Sequence, residues 1–114
     1  MDYNDAKRIE GTINTEALGL ARNVAANVRK LSASKIAYKQ ILNKELPRIR
    51  EDNPRMAIET VKTILNATNE AANNFDDQII FLEGEISADK EVREELRDQR
   101  SYAQSLMKFE KENS

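Results

Sequence analysis

Residues 58–86, IETVKTILNATNEAANNFDDQIIFLEGEI, decide the fold class. Within them Ile58, Val61, Leu65, Thr68, Ala72, Phe75, Ile79, Leu82 and Ile86 alternate by threes and fours over four heptads, and only Thr68 is polar. That spacing places one apolar stripe along one face of a helix, the pattern of a helix packed against another. Just upstream, Asn53-Pro54 joins an N-cap residue to a Pro at the first helical position, where its missing N–H costs nothing. A helix is therefore predicted over about 54–83.

The same alternation precedes it. Ala17, Ala21, Val24, Val28, Leu31, Lys35, Tyr38, Leu42, Glu45 and Ile49 form a second stripe in which eight of ten positions are apolar. Leu18, Leu20, Ala25, Ile41 and Leu46 widen it beyond a two-position seam, as expected of a helix touching more than one neighbour. Asn14 suits an N-cap, with Glu16 in the first turn and Ile13 able to staple onto Leu18; a start near Tyr3 also fits. Pro47 lacks the N–H for its i−4 carbonyl and biases Leu46 away from helical torsions. The first helix is accordingly expected over about 14–46, roughly 50 Å long at 1.5 Å per residue, with a linker over 47–53.

Beyond Ile86 the register is ambiguous. Continuing it brings Asp89, Arg93 and Arg100 into the seam, whereas stepping to Val92, Leu96, Gln99, Ala103 and Leu106 keeps the seam mostly apolar. Either a stammer lies within one helix, or Gly84 caps its end and Ser87 or Asp89 begins a third helix over about 88–111. The break is the favoured reading. Residues 1–114 are thus expected to form a single all-α domain of long amphipathic helices, packed as a helical hairpin or three-helix, coiled-coil-like bundle. Thirteen residues are Ala and only 5% are aromatic, so the core is thin and a homo-oligomer is expected to bury more of it.

Composition narrows the chemistry. The chain has no Cys and no His, which removes disulfides, thiolate and imidazole catalysis and the usual zinc sites. Paired carboxylates occur at Asp76-Asp77, Glu83/Glu85 and Glu91/Glu94/Glu95, without the Glu-x-x-His pairs of di-metal bundles or the Gly turn of a calcium loop; they are expected on the solvent face. Lys35 in the seam is read as fixing register rather than as a catalytic amine. The expectation is no enzyme, no cofactor, no metal and no small-molecule substrate. No apolar run approaches the roughly 18 residues of a membrane span, the opening residues resemble no signal peptide, and a cytoplasmic protein is expected.

Charge is divided unevenly. Residues 1–57 carry 11 Lys/Arg against 7 Asp/Glu, and residues 58–114 carry 7 against 13. Opposite charge then orients the helices against each other. The function expected is that of a small helical adaptor or structural protein acting through association with itself or a helical partner. Its association core would be Val24, Val28, Leu31, Tyr38, Leu42, Ile58, Val61, Leu65, Phe75, Ile79, Leu82 and Ile86. The alternative is an oligomeric nucleic-acid-binding accessory protein, in which Arg22, Arg29, Lys30, Lys39, Lys44 and Arg48 of the basic first helix meet phosphates.

Overall fold

The computed structural model describes residues 2–113. The described residues are all-α, with helices α1 (Tyr3–Ile49), α2 (Ile58–Thr68) and α3 (Glu70–Asn113) and no strand. Where α1 and α3 meet they run antiparallel, the hairpin arrangement that the two stripes predict. Packing divides the chain into two compact units, one joining the residues up to Ala26 with those from Ile86 onward, the other comprising Asn27–Glu85.

Most helix boundaries differ from the favoured expectation, although α1 begins at Tyr3, the alternative start that the sequence also allows. Helix α1 starts eleven residues before Asn14, because Asp2 is the cap: its Oδ1 accepts from the Asp5 N–H at 2.9 Å and its carbonyl from Ala6 at 3.1 Å. Pro47 does not end α1. It sits on the exposed side of the last turn while Leu46 and Ile49 pack against the core, and the Arg50 N–H still reaches the Leu46 carbonyl at 3.0 Å. Only the single bond that Pro cannot donate is lost, near an end where carbonyls are already short of partners.

Asn53-Pro54 does not begin α2. The Asn53 carbonyl accepts from Met56 at 3.1 Å, closing a turn with Pro54 at its second position, where a fixed φ is favoured. The Arg50 guanidinium donates to the Met56 carbonyl at 3.1 Å across the same loop, and α2 starts at Ile58 after an Ala57 cap that makes no side-chain bond.

The interruption lies at Asn69 rather than Gly84. Asn69 is extended (φ −130°, ψ 107°), its N–H closes α2 on the Leu65 carbonyl at 2.8 Å, and its Oδ1 accepts from Ala72 at 3.0 Å as the N-cap of α3. One Asn thus ends one helix with its backbone N–H and begins the next with its side chain. Gly84 sits inside α3 with no left-handed torsion, and α3 continues to Asn113. The register runs on unshifted: Leu82, Ile86, Leu96 and Ala103 are buried and Asp89 is half-buried, whereas Val92 and Gln99 are exposed. The sequence preference for a shift came from avoiding Asp89, Arg93 and Arg100 in the seam. Arg93 and Arg100 instead stay exposed at its edge, where long side chains hold their charge in water.

Candidate association surface

In the Asn27–Glu85 unit three helices share one core. Val61 and Leu65 of α2 are fully buried and meet Tyr38 and Leu42 of α1 and Ala72 of α3, with Ile41, Leu46, Ile49, Phe75 and Ile79 packed around them. A polar chain ties the three helices together. The Tyr38 hydroxyl donates to Asn66 Oδ1 at 3.0 Å, and Asn66 Nδ2 donates to Asp76 Oδ2 at 3.0 Å. Asn66 and Asp76 are ten positions apart, about 15 Å along an unbroken helix, so their direct bond requires the bend at Asn69. Burial, then the Asp76 carboxylate, raise the Tyr38 phenol above its ordinary pKa. Lys35 and Glu83 add an exposed α1–α3 ion pair at 3.5 Å, worth little in stability but favouring one alignment.

The predicted core residues divide by depth. Tyr38, Leu42, Val61, Leu65, Leu82 and Ile86 are buried; Val24, Leu31, Phe75 and Ile79 are half-buried; Val28 and Ile58 are exposed. The inward face of α1 lies slightly to one side of the predicted stripe, because Asn27 and Ser34 turn inward in place of Val28 and Lys35. Ser34 is buried at 4% exposure whereas Val28 is 44% exposed. Apolarity alone could not choose between these adjacent faces.

Arg22, Arg29, Lys30, Lys39, Lys44 and Arg48 are all exposed, and Arg48 pairs with Glu45 at 2.6 Å. Of the expected solvent-facing carboxylates, Asp77, Glu83, Glu85, Glu91, Glu94 and Glu95 are exposed, while Asp76 is half-buried on Asn66. Among the described residues, no three carboxylates converge as a metal site would require, and no helix is long and apolar enough to cross a membrane.

The other unit is built differently. Only α1 and α3 form it, and its buried side chains are few, two of the five being Ala: Ala6, Ile13, Ile86, Leu96 and Ala103. Open grooves flank this pair. One, of about 430 Å³, lies among Ile9, Tyr102, Ala103 and Leu106, with Asp98 and Gln99 at its edge. The other, of about 600 Å³, is lined by the buried or half-buried Ile13, Ala17, Ala21 and Leu96, with the exposed Leu18 beside them. Its rim carries Lys90, Arg93, Arg97 and Arg100 against the single acid Glu94; Arg100 also reaches Asn14 Oδ1 at 3.5 Å. Leu18, Val92, Tyr102 and Phe109 remain 46 to 66% exposed around the same pair. Compared with protein families, curated proteins and solved structures, the chain matches none.

Sequence reasoning missed three parts of this surface. Asn66 and Asn69 lie inside an apparently continuous stripe, although Asn69 followed by the acid Glu70 is a usable cap signal. The cations at 90, 93, 97 and 100 follow helical spacing and could have been read as one edge.

Proposed function

We propose that the chain is a small helical adaptor or structural protein of the cytoplasm that works by association, helix against helix, with its own copies or a helical partner. The observation that carries this reading is the two-helix unit. Two helices bury one stripe each and leave both flanks of the seam open, whereas a third helix covers the seam in the Asn27–Glu85 unit. Seating a further helix along a groove would remove Leu18 or Tyr102 from water and bring complementary charge to the rim.

Self-association couples to stability by mass action, so melting should move with concentration. Circular dichroism melts between about 1 and 100 µM should show the midpoint rising by several degrees. Tyr102→Asp, at a 66% exposed position, should flatten that dependence and leave the dilute midpoint in place. A wild-type midpoint that ignores concentration would reject association between copies.

Nucleic-acid binding by α1 is the second reading, favoured by the exposure of all six predicted cations. Polarisation of a labelled oligonucleotide should then show binding that weakens with salt and disappears when Lys39, Lys44 and Arg48 are reversed to Glu. No binding at low salt eliminates it.

A further inference from the structure

The two flanks of the α1–α3 unit carry opposite charge. Along α3, Lys90, Arg93, Arg97 and Arg100 follow one another by three, four and three, and edge the larger groove. On the far side of the same helix runs a different stripe, Ala88, Val92, Tyr102, Leu106 and Phe109, in the same alternation of threes and fours with Glu95 and Gln99 between. Val92, Tyr102 and Phe109 in it are 46%, 66% and 60% exposed, and the exposed carboxylates Glu91, Glu95 and Asp98 border it. One flank is therefore an apolar floor with a cationic rim. The other is an apolar ridge of the exposed Val92, Tyr102 and Phe109, standing beside the smaller groove that Tyr102 and Leu106 also line, with an anionic border.

We infer that the ridge of a second copy's α3 occupies the cation-rimmed groove, joining copies head to tail. This rests on the association reading above and names its geometry. Charge complementarity selects this pairing: a two-fold contact through either flank would set the cationic groove against itself or the acidic ridge against itself, and like charges opposed in an interface are costly. Groove against ridge places Arg93 and Arg97 opposite Glu91 and Glu95, and buries Leu18 with Val92 and Tyr102. Because the two surfaces differ, each bound copy still presents one groove and one ridge, and growth continues until a ring closes or a filament extends.

Two charge variants of the full chain test this by sedimentation. Arg93→Glu/Arg97→Glu makes both surfaces acidic, and Glu91→Lys/Glu95→Lys makes both basic. All four positions are exposed, and helical circular dichroism checks that each variant is folded. The wild type should reach masses above twice the 13.0 kDa chain; each variant alone should remain monomeric, and an equal mixture of the two should regain the wild-type mass. A mass that plateaus at the dimer, or an assembly lost in only one variant, overturns the head-to-tail contact while sparing association. Wild-type assembly indifferent to both variants does the same, as does a labelled oligonucleotide whose binding alone is lost in Arg93→Glu/Arg97→Glu. A wild type that is monomeric at every concentration overturns both the inference and self-association.

Discussion

Removing Asn66 should cost far more than an Asn on a helix surface normally does. Asn66→Ala deletes the acceptor for the Tyr38 hydroxyl and the donor to Asp76, both at 3.0 Å. The neutral bond contributes about 1 kcal/mol and the bond to the carboxylate about 1.5–3 kcal/mol. Against this, Ala is the better helix former by up to about 0.7 kcal/mol, and water reaches the half-buried Asn66 and Asp76. The net expectation is a loss of about 2 kcal/mol, or roughly 8 °C in melting midpoint for a chain of this size. Tyr38→Phe, removing one bond, should cost about 1 kcal/mol. Urea unfolding of both single variants and the double should give a coupling near 1 kcal/mol, because the shared bond is lost only once. An Asn66→Ala protein as stable as the wild type, or more stable, would refute the three-helix polar link.

The same link has a pH signature. The Tyr38 pKa is raised in the folded state, by burial first and then by Asp76. The folded protein therefore holds this proton more tightly than the unfolded chain. The resulting stability is fully present below the unfolded pKa of about 10 and is lost as pH rises from there through the folded value. The stability gap between wild type and Tyr38→Phe should accordingly narrow above about pH 10; a gap constant into strong alkali would contradict the assigned environment.

Three further substitutions address other parts of the fold. Leu65→Ala at a fully buried position should destabilise by about 2–5 kcal/mol in urea unfolding; a loss below about 1 kcal/mol would mean α2 is not seated in the core. Gly84→Ala adds a methyl group where nothing lies within 4 Å and the backbone is helical, so chemical unfolding should show a gain of about 0.5–1 kcal/mol, whereas a loss would indicate a helix end there. Asp89 keeps one buried carboxylate oxygen without a hydrogen-bond partner at a seam position; Asp89→Leu should raise the melting midpoint by several degrees, consistent with about 1–2 kcal/mol, and a lowered midpoint would show that the carboxylate contributes to the fold.

The stripe from Val61 to Leu82 was legible in the sequence because apolar side chains at a 3.5-residue spacing have only one way to be buried together. Helix ends were less legible because they are decided by competition. Pro47 tolerates a last helical turn since Leu46 and Ile49 gain more from packing than one missing hydrogen bond costs, and Asn53-Pro54 supports a turn as readily as a helix start. Asn69 was hidden because a single extended residue leaves the spacing of Leu65, Ala72 and Phe75 compatible with an unbroken helix. Of the uncovered flanks of the two-helix unit, only the cationic edge at 90, 93, 97 and 100 was legible, as a spacing. Periodicity marks the face a helix buries, and Val92, Tyr102 and Leu106 compete on equal terms with Asp89, Leu96 and Ala103 until the packed structure chooses the inner face.

The α1–α3 unit, open along both flanks of its seam, is proposed to be completed by another copy. Sedimentation equilibrium of the full chain at about 50 µM, diluted stepwise to about 1 µM, tests it most directly through mass action. The expected result is an average mass well above 13.0 kDa that falls on dilution and falls further with Tyr102→Asp. A mass fixed at that of one chain throughout would contradict it.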